Sequence, residues 1–144
     1  MSAAPPREPI VIDTDVFSAQ LIKGSVLAER YAPLVAGRKT FISFQTATEV
    51  RYGALLRHWG RRRLRALADK LANVEIVHSG PELVSVHAQL RADCYAAGHA
   101  LHQQDHNADR WIAATAIRLG IPLVSNDGIF KNVPGLRLET LSDN

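Results

Sequence analysis

Residues 10–15 read Ile10-Val11-Ile12-Asp13-Thr14-Asp15, an unbroken run of branched apolar side chains that ends abruptly on acids. A strand half exposed to water alternates apolar and polar residues, so a run without alternation points to a strand covered on both faces. Similar runs recur at Thr40-Phe41-Ile42, Val74 to Val77, Pro122-Leu123-Val124 and, after Pro134-Gly135, Leu136 to Leu141. Between them the apolar residues take helical spacing. Two helical stretches follow the first strand, the second from Val26 to Ala36 with Leu27, Tyr31 and Leu34 in register and Gly37 as its stop. Further helices are expected over Thr46–Trp59, over Arg61–Leu71 with Leu64, Leu67, Ala68 and Leu71 inward, after Ser79-Gly80-Pro81 as far as Gly98, and over Asn107–Leu119 with Gly120 at its end. Leu83, Val86, Leu90, Cys94 and Ala97 form one stripe on the third of these, which makes Cys94 a core residue. Strands alternating with helices give an α/β fold with a parallel sheet covered on both sides.

The chain has 144 residues, 47% hydrophobic and 22% charged, the profile of one ordinary globular domain. Its single cysteine excludes a disulfide-stapled architecture. The opening MSAAPPREP has no apolar stretch fit for a signal peptide, and no run suits a membrane span, so a soluble cytoplasmic protein is expected. Residues 1–9, with three prolines, read as a disordered lead-in, and residues 10–144 as one domain. The formal net charge of +3 is unevenly placed: from Arg57 to Lys70, six basic residues against Asp69 leave +5, and the rest of the chain sums to −2. A basic segment on a slightly acidic body suits a polyanionic partner, although a solvated helix face is the plainer explanation.

Open parallel sheets bind ligands beyond the carboxyl ends of their strands. Four acids map to that edge: Asp13 after the first strand, Glu49 in the helix after the second, Asp109 opening the helix before the fourth, and Asp127 after the fourth. Each has a duller explanation alone. Thr46-Ala47-Thr48-Glu49 fits a capping box, Asp109 suits a helix N-terminus, and Asp13 and Asp127 suit caps or turns. Together they pose an electrostatic problem, because two carboxylates ~5 Å apart repel by ~3 kcal/mol at an effective dielectric of 20. Spreading, protonation or a bound cation resolves it. Carboxylate oxygens without thiolate or imidazole partners select Mg²⁺ or Mn²⁺, and such an ion on a basic protein points to phosphodiester cleavage.

The segments 11–17, Ser43 to Glu49 with Arg51 and Gly53, Asn107 to Ala116, and Gly120 to Asp127 through Phe130 resemble the PIN-domain ribonucleases, and within them the VapC toxins of bacterial toxin–antitoxin pairs. The resemblance covers nearly the whole chain after residue 9. It implies a three-layer α/β/α sandwich around a five-stranded, mostly parallel sheet, a Mg²⁺- or Mn²⁺-dependent endoribonuclease acting on RNA, a homodimer, and a VapB-like antitoxin. It makes Asp13, Asp109 and Asp127 metal-binding acids, adds Glu49 to the catalytic set, and gives Thr14 and Ser125 supporting hydroxyl positions. Arg61, Arg62, Arg63 and Arg65 are then candidates for RNA capture. Phe17, Leu21, Leu55, Leu56 and Trp59 are candidate seats for an apolar antitoxin segment. Three positions depart from the family pattern: Asp15 stands where Asn is usual, Ser125 where Thr is usual, and Ile129 where a second acid is frequent.

Three other readings compete. Asp13-Thr14-Asp15 also resembles the opening motif of haloacid-dehalogenase-type phosphohydrolases, which need a downstream lysine; Lys70 and Lys131 lack a matching context. His99, His102 and His106 with Asp105 suggest zinc, but they fall in a connection that defines no single face. Asp105 also rivals Asp109, four residues on, as the carboxylate of this segment. A degenerate domain that binds RNA or antitoxin without cutting is opposed by the retained acids.

Overall fold

The computed structural model describes residues 7–143. Its strands are β1 (Ile10–Ile12), β2 (Thr40–Ser43), β3 (Glu75–Val77), β4 (Leu123–Val124) and β5 (Leu138–Glu139); its helices are α1 (Thr14–Ala19), α2 (Val26–Val35), α3 (Phe44–Leu56), α4 (Arg61–Ala72), α5 (Pro81–Ala97) and α6 (Asn107–Leu119). Every strand pairing is parallel, in the order β3-β2-β1-β4-β5. From β1 the chain builds outward through β2 and β3, then crosses to the other side for β4 and β5. The switch point falls between β1 and β4, and the crevice beyond their carboxyl ends is the favoured ligand position in such sheets.

All of β1 is fully buried, and its alternation divides it between two layers. Ile10 and Ile12 pack with Val16, Phe17, Tyr31, Ile42 and Val50 beneath the first four helices. Val11 packs with Leu83, Leu90, Cys94, Ile112 and Phe130 beneath α5 and α6. Each such side chain contributes about 1.5–3 kcal/mol by leaving water, so both helical layers depend on this strand. Cys94 is a core residue, as its stripe implies.

Several element ends differ from the sequence reading. Ser43 caps α3 by accepting the Gln45 N–H at 3.1 Å, so the helix starts before Thr46, and Thr46 to Glu49 form no capping box. The helix ends at Leu56 rather than Trp59, since His58 takes a positive φ of 52°. Strand β5 is shorter than residues 136–141 because the Leu136 N–H still closes a turn onto Val133 O. On α4 only Leu67 is fully buried; Leu64 and Ala68, expected inward, instead line an open apolar groove against α3 with Leu55. Phe17, expected to offer docking surface, lies in the core. Residues 1–6 of the expected lead-in lie outside the described residues. Arg7 donates to Pro33 O at 2.9 Å and Glu8 pairs with Arg137 at 2.6 Å, so contacts begin before β1.

Candidate active site

Asp13 leaves β1 and caps α1, its Oδ1 accepting the Val16 N–H at 2.9 Å. Its Oδ2 accepts from the Ser125 hydroxyl, and Ser125 Oγ in turn accepts the Asp127 N–H at 3.0 Å. This short chain of bonds spans the switch point from β1 to the end of β4. Asp127 caps the 3₁₀ turn Gly128–Phe130 through Ile129 N–H, 3.0 Å away, and remains exposed. Thr14 and the buried Thr46 share a 3.0 Å hydroxyl contact that ties α1 to α3. One helical turn on, Glu49 accepts from Gln45 Nε2 at 3.0 Å. Asp109 stands in the first turn of α6, with His106 Nδ1 at 3.1 Å.

The acids feel one another across these elements. Burial raises the Asp13 pKa to about 6 against the opposing bonds from Ser125 and Val16, and the charges of Asp15 and Asp127 add to the rise. Partial burial raises Asp15, followed by the charges of Asp127 and Glu49. Burial likewise raises Asp109, the His106 bond opposes this, and Asp127 and Glu49 reinforce it. The four predicted acids therefore share one electrostatic neighbourhood, and Asp15 joins them as a fifth. Asp13, Glu49, Asp109 and Asp127 each also have a local partner of their own. Among the described residues no three His, Cys, Asp or Glu side chains are gathered into a set that could hold a metal ion; like charges pinned to separate N–H, hydroxyl, amide and imidazole donors stay apart.

The competing readings find little support. The Leu101 N–H donates to His99 Nδ1 at 3.0 Å, so Nε2 carries the proton donated to Lys131 O at 2.7 Å, and neither nitrogen is free for zinc. His102 packs edge-on to Tyr95. Lys70 bonds Gln20 and Lys131 bonds Ser142 O, so neither serves as a phosphate-screening lysine beside Asp13 and Asp15. Asp105 is exposed in a turn, whereas Asp109 is the acid coupled to Asp127 and Glu49. Ile129, the departure from an acid, packs against the core.

Arg61, Arg62, Arg63 and Arg65 are all exposed, and none is in an ion pair among the described residues. Residues that the sequence left without a role also shape the site. His106 is one, three residues before Asp109, a helical spacing visible in the sequence. Tyr31 is another: its buried hydroxyl donates to Asn126 Oδ1 at 2.8 Å and accepts Leu141 N–H at 2.9 Å, holding the loop that carries Ser125 and Asp127.

An all-parallel α/β sandwich with carboxylates around its switch-point crevice defines the structural class. The sequence matches the PIN-domain family model over residues 10–136, and the chain belongs to that family. In fold it is similar to VapBC2 from Rickettsia felis bound to a promoter DNA fragment, with TM-score 0.74 and 23% identity over 91% of this chain and 97% of that one. It is similar also to DNA-bound VapBC from Salmonella typhimurium, with TM-score 0.73 and 22% identity over 93% and 98%. VapBC-5 of Mycobacterium tuberculosis, described as a member of the VapBC family of toxin–antitoxin systems, matches at TM-score 0.66 and 26% identity over 96% and 99%. No curated protein sequence matches. No helix among the described residues is long and apolar enough to cross a membrane.

Proposed function

We propose that this chain is the toxin of a VapBC-type toxin–antitoxin pair: an endoribonuclease that depends on Mg²⁺ or Mn²⁺, works in the cytoplasm as a homodimer, and is restrained by a VapB-like antitoxin. The observation that carries this reading is that, at the switch point of a PIN domain, the charge of Asp127 bears on both Asp13 and Asp109 and that of Glu49 on Asp109. Its likeness to VapBC complexes supports the antitoxin partner.

In their chemistry, though not gathered into one ligand set, the donors suit a hard divalent cation. Every candidate ligand is a carboxylate, and burial with like charge pushes Asp13 and Asp109 toward protonation, a cost that a dication reverses. Asp13, Asp109 and Asp127 would hold Mg²⁺ or Mn²⁺, which when bound supplies a water of lowered pKa and positive charge beside the scissile phosphate. Ser125 orients Asp13 Oδ2, and His106 orients Asp109 Oδ2. Glu49 is the remaining carboxylate, able to take the proton of the attacking water. Thr14 and Thr46 hold α1 against α3, and the arginines of α4 draw in the polyanion. The open groove between α3 and α4 is the seat for an apolar antitoxin segment.

Purified protein should cleave RNA with Mg²⁺ and cease on chelation. Asp13→Asn and Asp109→Asn should each lower the rate at least about 100-fold with the fold retained by circular dichroism, and Asp105→Asn should keep most activity. Wild-type rates in Asp13→Asn would end this reading.

A further inference from the structure

A cleft of about 380 Å³ runs along α3, from Thr14, Asp15 and Glu49 at the acidic site to Arg57, Trp59 and Arg63. Its volume lies within the range of ligand sites. From Glu49 to Arg57 the helix advances about 12 Å, so the cleft leads directly away from the acids. The Arg63 guanidinium lies over the Trp59 ring, its carbon 4.3 Å from the ring centroid. An indole beneath a guanidinium fixes its plane and leaves the opposite face and the N–H fork available. Arg57 folds back over Gly53, where a Cβ would come within 2.7 Å of its Nη1. Neither Arg57 nor Arg63 is in an ion pair among the described residues, although Asp15 and Glu49 line the same cleft. Of the four arginines in the α4 run, only Arg63 lines it.

We infer that this cleft is a subsite for an unpaired nucleotide flanking the scissile bond, its base stacked on the Arg63 guanidinium above Trp59 and its phosphate bound by Arg57 and Arg63. The inference rests on the nuclease reading and deepens it, since it assigns the nucleotide beside the cut to particular residues of this chain, Arg57, Trp59 and Arg63. Single strands are bound where cations track the backbone and flat π or guanidinium surfaces take unstacked bases, and both features are present here. A double helix would hide those bases. A purely acidic peptide would use the cations but leave the stacking surface idle.

The test is the anisotropy of a labelled, uncleavable 2′-O-methyl octaribonucleotide in EDTA at fixed ionic strength. Arg57→Gln and Arg63→Gln are expected to raise Kd about tenfold, the scale of one stacking or phosphate contact. Arg62→Gln and Arg65→Gln remove charges that attract the polyanion from a distance without lining the cleft, and their smaller, screened effect should raise Kd by less than about threefold. On a cleavable RNA, Arg63→Gln should also erase base preference at one position beside the cut. Equal losses at all four arginines, with cleavage by the wild type intact, would overturn the subsite and leave the nuclease reading standing. Polyglutamate bound as tightly, with the same dependence on Arg63, would overturn it as well. A wild-type chain that neither binds nor cuts RNA would overturn both.

Discussion

Both oxygens of Asp13 already accept hydrogen bonds, Oδ1 from Val16 N–H and Oδ2 from Ser125, yet burial outweighs them and lifts its pKa from 3.8 to about 6. The ionised form is therefore less stable in the folded chain than in the unfolded one. Below about pH 4 Asp13 is neutral in the native state and largely neutral when unfolded, so it carries little penalty. As pH rises through about 6 the native carboxyl must ionise, and about 3 kcal/mol of stability is lost. Asp13→Asn stays neutral throughout and keeps the volume. In EDTA it should raise unfolding free energy by up to about 3 kcal/mol at pH 7.5 and by less than about 1 kcal/mol at pH 4, as read from urea melts. An effect independent of pH would assign it to packing instead. Asp13, Asp109 and Asp127 were legible in the sequence because each lies where a strand ends or a helix starts, whereas Glu49 stands in the second turn of α3, deeper in its helix than a start at Thr46 implies. Their bonding partners were not: Thr46 read as a cap and is a buried contact of Thr14, and His106 read as a loop histidine and meets Asp109.

At the scale of elements, the connection from His99 to His106 is held by a side chain from the helix that follows it. Arg110, 1% exposed, donates through Nη1 to the carbonyls of Leu101 and Gln103 and through Nη2 to Asn107 Oδ1. Burial lowers its pKa, but a guanidinium remains charged, so these oxygens are what balance it. Arg110→Met would fill the space and leave the three acceptors without their donor. It should cost about 2–4 kcal/mol, and amides 100–106 should lose hydrogen-exchange protection before the sheet does. Loss spread evenly over the molecule would mean that Arg110 is not the anchor of this segment. The sequence showed the segment as a connection and α6 as a helix, but arginines are seldom fully buried, and nothing in its local pattern marks Arg110 as the link between them. The same limit applies to α4. Its spacing puts Leu64 and Ala68 on an inward face, whereas how far that face is covered depends on where α3 stops, and His58 stops it early.

Across the whole molecule, the alternation of strands and helices gives the parallel sheet, while the order β3-β2-β1-β4-β5 depends on crossovers that no local pattern encodes. That order makes Asp13 and Asp127 neighbours, and it sets an acidic crevice beside a helix of exposed arginines. A partner that silences such a surface needs a cation for the crevice. A guanidinium or ammonium among Asp13, Glu49, Asp109 and Asp127 would take over the electrostatic role of the metal and obstruct the phosphate position. Its carrier would rest an apolar segment in the groove between α3 and α4, where Leu55 is 72% exposed and Leu64 43%. Partner and metal should therefore compete. Calorimetric titration with the co-expressed antitoxin should show apparent Kd rising with Mn²⁺ concentration, and replacing the inserted basic residue with Gln should weaken binding at least about tenfold, the loss expected for a close charge pair. RNA cleavage should fall to background at saturating antitoxin and return when that residue is replaced. A saturated complex that cleaves as fast as the free chain would end this account of inhibition, and an affinity indifferent to Mn²⁺ would show that the partner acts away from the acids, on the arginine helix instead.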